Sequence, residues 1–171
     1  MEESVDNLFA MLPKPIVGYI GAIRDWIDWR LVAFSATKYP NMSFVFVGSG
    51  RAPSKMPPNV HFLGRVDYGC IPSVLRKFDI GIIPFKVDSC TLSVDPVKLY
   101  EYCAVGIPVV STYLPDGCPE GCVYVAQHAT GFADMVLRAL EDPHDVPRKL
   151  FAQSNSWAVR VKLIEDILAC M

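Results

Sequence analysis

DPVKLYEYCAVGIPVVST, residues 95–112, has the pattern of a short helix followed by a buried strand. Asp95 and Pro96 are typical of a helix start, because an aspartate accepts bonds from the first free amides and proline fits the first turn. Apolar residues then recur at helical spacing as far as Gly106, a residue typical of a helix end. The apolar, largely β-branched run that follows predicts a strand buried on both faces.

The start of this predicted helix brings together groups suited to a nucleotide. Lys98 and Glu101 are three residues apart and therefore share one helix face. The free amides and the lysine could bind phosphates, while the glutamate could bind ribose hydroxyls. An ordinary exposed salt bridge explains the same spacing, so the spacing alone leaves both interpretations open.

The whole chain alternates predicted strands and helices. Residues 1–15 predict a linker, residues 16–155 one α/β domain, and residues 156–171 a C-terminal helix. Strands are predicted at 16–20, 43–47, 60–63, 79–84, 107–110 and 122–125. Residues 22–39 predict a helix that ends before Pro40, and residues 86–94 are expected to be irregular. This alternation indicates a Rossmann-like, three-layer domain of about six parallel strands with helices on both faces. Such sheets bind ligands beyond the carboxyl ends of their strands, where the strand order reverses.

Composition argues against several other classes of protein. The 171 residues are 51% hydrophobic and 20% charged, which is typical of a globular domain. A net charge of −2 without a basic run argues against nucleic-acid binding. The acidic N-terminus does not resemble a signal peptide, and no apolar stretch approaches the ~20 residues of a membrane span, so we expect a cytoplasmic location. Cys118 and Cys122 have no second pair at zinc-site spacing, so we expect no metal or other cofactor.

Residues 96–110, PVKLYEYCAVGIPVV, resemble the sugar-nucleotide-binding signature of GT-B retaining glycosyltransferases. They are similar to the bacterial polysaccharide branch of group 1, which carries NP-x-K-L-x-E-Y-x-A-x-G-x-PVV. NVHFLG at 59–64 and the Ser156–Trp157 pair resemble further elements of the same branch. The resemblance covers about residues 5–168. It implies the C-terminal, donor-binding half of a GT-B enzyme, with residues 1–15 as the hinge.

The resemblance also implies roles for individual residues in binding a nucleotide-diphosphate sugar. Glu101 is expected to hold the ribose of the donor. The diphosphate is expected at the helix start and at the turn after the first strand, against Gly21, Arg24, Pro96, Val97 and Lys98. The base and sugar pocket is expected to include Val66, Tyr68, Ser93 and Val94. The cations and the helix dipole would then stabilise the leaving diphosphate without a metal.

Two positions depart from the family's pattern. Ser93 stands where many relatives carry the first of two glutamates eight residues apart. Asp95 replaces the asparagine usual before the proline, and a carboxylate there would repel a nearby diphosphate.

The resemblance covers no acceptor-binding half, which precedes the donor half in GT-B enzymes, so it names no catalytic residue. We therefore expect the donor half of a glycosyltransferase that is inactive alone. Its expected acceptor is a saccharide or a lipid-linked molecule, met at the inner face of the cytoplasmic membrane. A stand-alone nucleotide-binding module without catalysis is the alternative, favoured by the chain length and Asp95. An epimerase or hydrolase is less favoured, because no acid–base pair is visible.

Overall fold

The computed structural model of the protein describes residues 2–113, 118, 121–142 and 145–170. Six strands and eight α-helices are interspersed along this part of the chain. The strands are β1 (Ile16–Ile20), β2 (Ser43–Val47), β3 (Val60–Gly64), β4 (Ile80–Ile83), β5 (Val109–Ser111) and β6 (Val123–Val125). The helices are α1 (Glu2–Phe9), α2 (Trp29–Lys38), α3 (Ile71–Leu75), α4 (Ser89–Leu92), α5 (Val97–Val105), α6 (Ala129–Leu140), α7 (Val146–Ser154) and α8 (Trp157–Ala169).

The six strands form one parallel sheet in the order β3-β2-β1-β4-β5-β6. This confirms the predicted Rossmann-like fold. The strand order reverses between β1 and β4, and ligands of doubly wound sheets bind at that point. Only Val17↔Ile80 and Gly18↔Gly81 are paired between these two strands, so the ladder stops before their carboxyl ends.

The core lies on both faces of the central strands. Every residue of β1, β2 and β4 is buried, which explains why these segments are continuous apolar runs. α2 packs against α6, and α5 packs against α3 and α7. The start of α5 lies at the carboxyl ends of the strands, where Lys98 faces Gly21.

Three local predictions differ from the structure. The stretch expected to be a linker contains α1, whose Val5 and Phe9 are buried in the core. The helix after β1 begins only at Trp29, because the preceding residues form isolated bridges and a turn, and Ile23 N donates to Ser49 O at 2.8 Å. The segment expected to be irregular contains the short helix α4.

Candidate functional site

The turn after β1 opens the candidate site. Gly21 has φ +132°, and its amide donates to Val47 O at 2.9 Å. A Cβ at this position would lie 3.1 Å from Lys98 Cε and 3.5 Å from Lys98 Nζ. Glycine therefore fits the backbone conformation and leaves space for the lysine, which reaches β1 from the first turn of α5.

Lys98 holds its ammonium group among aromatic rings. Nζ lies 5.1 Å from the ring centroid of Tyr19 and 4.8 Å from that of Phe85, within the range of cation–π contacts. Burial lowers the pKa of Lys98 to about 8, although the Glu101 carboxylate opposes the shift. Lys98 takes part in none of the salt bridges found among the described residues. An anion bound at this position would contact the Lys98 ammonium group, which is poorly solvated by water.

The start of α5 differs from the expected one. Pro96, not Asp95, is the N-cap residue, and no side chain caps the helix. The Asp95 carboxylate instead accepts from Tyr100 OH at 2.8 and 3.0 Å and from the Arg160 guanidinium at 3.0 Å. The expectation that Asp95 caps the helix is therefore wrong, because Arg160 lies too far along the sequence to be recognised as its partner. The first backbone amides of α5 therefore have no side-chain acceptor, and Val97, the first residue of the helix, is 51% exposed.

Glu101 lies one turn further along α5. Its carboxyl is half-buried, and burial raises its pKa while Lys98 lowers it. It lines a cavity of about 600 Å³ together with Tyr68, Val97 and Trp157. A carboxylate at the wall of a cavity can accept bonds from hydroxyls of a bound molecule.

A smaller cavity of about 230 Å³ lies at the ends of β1, β2 and β3. Gly21, Val66 and Tyr68 line it. Because Tyr68 lines both cavities, the two lie side by side. The structure thus brings together Gly21, Lys98, Glu101, Val97, Pro96, Val66 and Tyr68 from the residues expected in the site.

Three expected residues lie apart from this group. Arg24 is exposed and lines neither cavity. Ser93 is exposed and donates its hydroxyl to Ser89 O at 2.9 Å. Val94 is exposed as well, and its carbonyl accepts from Tyr113 OH at 2.7 Å. The roles implied for these three residues stay predictions.

Comparison with known proteins identifies the family of the chain. Residues 14–142 match the family described as Glycosyl transferases group 1, which is more than half of the chain. This chain belongs to the group 1 glycosyl transferases. The family resemblance inferred from the sequence is therefore confirmed.

A curated relative shares part of the sequence of this group 1 chain. It is 31% identical over 123 residues to the putative teichuronic acid biosynthesis glycosyltransferase TuaH of Bacillus subtilis, a match covering 68% of this chain and 31% of that protein. The chain spans about a third of the length of the curated relatives it matches.

Two solved structures share the fold. HepE of Anabaena, solved with UDP and glucose, aligns with 99% of this chain and 52% of its own at TM-score 0.73 and 15% identity. The C-terminal domain of the group 1 protein LpcC of Francisella tularensis aligns with 90% of this chain and 88% of its own at TM-score 0.59 and 17% identity.

Sequence reasoning missed several residues of the candidate site. Tyr19 and Phe85 surround the Lys98 ammonium, but in sequence they are only apolar residues near strand ends. Gln153, Trp157 and Arg160 line the larger cavity with Glu101. The Ser156–Trp157 pair was visible as a family element, yet nothing in the sequence predicts that α8 begins beside α5.

A further cavity of about 650 Å³ lies at the amino ends of the strands, opposite the candidate site. None of the expected site residues lines it. The buried Arg148 at its wall bonds Asp142 at 2.7 Å and Gly106 O at 2.9 Å. Since these bonds join α7 to the end of α5, we interpret this cavity as a structural junction.

The part of the chain that the structure describes lacks two further features. No group of three or more His, Cys, Asp or Glu side chains is placed to hold a metal ion. In the same part of the chain, no helix is both long and apolar enough to cross a membrane.

Proposed function

We propose that this chain is the donor-binding half of a glycosyltransferase that uses a nucleotide-diphosphate sugar. The observation that carries the proposal is the Lys98 ammonium, placed against Gly21 at the point where the strand order reverses. This cation lacks a salt-bridge partner among the described residues, lies beside uncapped helix amides and is one turn from Glu101. Diphosphate and ribose are the groups that such an arrangement would bind.

Glycosyl transfer breaks the bond between the anomeric carbon and a diphosphate oxygen, so negative charge develops on the leaving diphosphate. Lys98 and the amides at the start of α5 would stabilise that charge in a site that is partly closed to water. Glu101 would accept bonds from the ribose hydroxyls and so fix the position of the sugar. These groups supply the positive charge without a metal ion, and we propose a metal-independent donor site.

The acceptor site and its catalytic groups would come from another part of the enzyme, because this chain corresponds to about a third of its curated relatives. Similarity to a teichuronic acid glycosyltransferase supports a polysaccharide or lipid-linked acceptor. The complex of HepE with UDP and glucose supports a UDP-sugar donor. The cytoplasmic location expected from the sequence stays a prediction.

One argument for the alternative, a non-catalytic module, is weaker in the structure. That argument is the negative charge of Asp95, which would repel a diphosphate. In the structure that carboxylate is paired with Arg160 and accepts a hydrogen bond from Tyr100, so its charge is compensated.

Calorimetric titration of the chain with UDP, GDP, ADP and TDP tests the proposal. We expect one diphosphate to bind, and we expect Glu101→Ala and Lys98→Met each to weaken it about tenfold or more, at least ~1.4 kcal/mol. Glu165→Ala and Lys162→Met, which remove the same groups from exposed positions on α8, are the matched controls. Binding of none of the four nucleotides, or equal affinity in all variants, contradicts the proposed site.

A further inference from the structure

The Asp95 carboxylate lies close to the proposed diphosphate site. A two-residue step of chain spans at most about 7 Å, so the Cα atom of Asp95 lies within that distance of the Cα atom of Val97, the first residue of α5. This distance is shorter than the Debye length of about 10 Å in about 0.1 M salt. The charge of an unpaired carboxylate here would therefore repel a diphosphate bound at the first amides of the helix.

Arg160, in the first turn of α8, supplies the opposite charge. Its guanidinium donates to the Asp95 carboxylate at 3.0 Å, and its Cζ atom lies 4.7 Å from the centroid of the Tyr100 ring. The Tyr100 hydroxyl donates to the same carboxylate at 2.8 and 3.0 Å. Arg160 therefore neutralises Asp95 while it stacks on the ring that also binds Asp95.

The position of Tyr100 is fixed independently of Arg160. Its ring stacks on that of Phe151 in α7, with centroids 5.4 Å apart and an angle of 25° between the planes, and Phe151 is buried. Loss of Arg160 would therefore leave the Tyr100 hydroxyl in place, and with it the Asp95 carboxylate. The compensating charge would be lost, but the carboxylate would keep its position.

The charges on the wall of the cavity of about 600 Å³ lead to the same conclusion. The charged residues that line this cavity are Asp95, Glu101, Lys149 and Arg160. Lys149 is paired with Asp145, so Arg160 is the cation of this wall that balances Asp95. A neutral residue at position 160 would leave Asp95 without a counter-charge beside the proposed site of a negatively charged ligand.

We infer that Arg160 is a positioning residue for the donor diphosphate: through its ion pair with Asp95, it removes the repulsion that this carboxylate would exert on the phosphates. The inference rests on the proposed function and adds α8 to the donor site. The side chains of Arg160 and Asp95 are 37% and 46% exposed, and exposed ion pairs contribute little to stability. Substitution of Arg160 should therefore change the affinity for diphosphate and leave the fold nearly as stable.

Calorimetric titration of the full chain with UDP, GDP, ADP and TDP identifies the preferred diphosphate, and variants of the ion pair then test the inference. Arg160→Gln should weaken binding of that diphosphate about fivefold, because the charge of Asp95 is no longer balanced. The double variant Asp95→Asn with Arg160→Gln should return to within about twofold of the wild type, because both charges are gone. Lys162→Gln removes a cation from the same helix, away from the cavity, and should not change the affinity.

Salt and stability distinguish the effect of charge from a structural effect. The ratio of the Kd of Arg160→Gln to that of the wild type should fall toward one in about 1 M salt, where the Debye length is about 3 Å. The urea concentration at the midpoint of unfolding should be nearly the same in the two proteins. A ratio that salt does not change, together with a much lower midpoint, would show that Arg160 acts through structure alone and would overturn the inference.

The outcomes also separate this inference from the proposed function. Wild-type affinity in Arg160→Gln, or a double variant as weak as Arg160→Gln, overturns the inference. Loss of binding in Glu101→Ala and Lys98→Met would then leave the proposed function intact. If the wild type binds none of the four nucleotides, both proposals are wrong.

Discussion

At the scale of single residues, the partly buried ammonium group of Lys98 is the most informative group. The Lys98 ammonium group lies over the rings of Tyr19 and Phe85. No side chain caps the start of α5, the helix to which Lys98 belongs. Its pKa of about 8 means that its charge is partly lost within the pH range of ordinary binding experiments. The pKa of Tyr19 is raised by burial to about 12, so this neighbour stays neutral throughout that range.

We therefore expect diphosphate binding to weaken as the pH rises through the pKa of Lys98. Below about pH 8, Lys98 of the free protein is protonated and positively charged. Above about pH 8, Lys98 is mostly neutral and must take up a proton before it can bind a phosphate. The Kd should rise roughly 20-fold between about pH 7.5 and about pH 9.5, while the phosphates, with pKa near 6, stay ionised. Calorimetry across this range measures the effect.

Lys98→Met is the control for this pH dependence. Its weaker binding should be nearly independent of pH over the same range, because the titrating group is gone. A wild-type Kd that does not change up to about pH 9.5 contradicts the assignment of Lys98 to the phosphates.

The predicted residues that lie together in the structure have simple local patterns. Lys98 and Glu101 share a helix face, and Gly21 follows a strand; the family resemblance implied their roles, which stay predictions. The pairing of Asp95 with Arg160 joins positions 65 residues apart and depends on where α8 packs. For that reason the sequence suggested a helix cap that the structure does not contain.

At the scale of elements, α5 is attached to β1 by a buried hydroxyl. Tyr102 OH accepts from Ile20 N at 3.0 Å, where the ladder between β1 and β4 has stopped. A Cβ at Gly81 would lie 2.6 Å from the Tyr102 ring, so the glycine makes room for it. Tyr102 follows Lys98 by four residues, and both side chains contact the carboxyl end of β1.

Tyr102→Phe should lower the free energy of unfolding by about 1–3 kcal/mol, because it leaves the buried amide of Ile20 without an acceptor. Urea unfolding followed by circular dichroism measures the change. Tyr68→Phe, which removes a hydroxyl from a highly exposed ring, is the matched control and should change stability by less than about 0.5 kcal/mol. Equal stability of the two variants would show that the Tyr102 hydroxyl is dispensable.

The elements themselves were largely predictable. β1, β2 and β4 are buried on both faces, and such strands appear in the sequence as uninterrupted apolar runs. The start of α2 was misplaced because residues 22–27 contain helix-compatible residues but bond to the neighbouring loop. Tertiary contacts of this kind have no signal in local propensity.

At the scale of the whole molecule, α8 is the least integrated element. None of its described side chains is buried, and seven of its large apolar residues are exposed. Its contacts with the rest of the chain include the Arg160–Asp95 ion pair and the Arg160 guanidinium, 4.7 Å above the Tyr100 ring. Contacts of this kind contribute little to stability.

Deleting residues 157–171 should therefore leave a cooperatively folding domain. The free energy of unfolding should fall by no more than about 2 kcal/mol, as measured by urea unfolding. Deleting residues 146–171 is the comparison, because it also removes the buried Phe151 and Arg148 and should abolish cooperative unfolding. Loss of cooperativity in the shorter deletion would contradict the peripheral place of α8.

The position of β1 in the sheet has a consequence for biosynthesis. Both neighbours of β1 follow it in the chain, and β4 arrives only after β2 and β3. At about 5–20 residues per second, β1 keeps one long apolar edge unpaired for about 1–4 s between the synthesis of β3 and that of β4. An unpaired apolar edge can recruit another nascent chain. Once β4 has joined, that edge lies in the interior of the sheet, and β6, one of the two outer strands, is only three residues long.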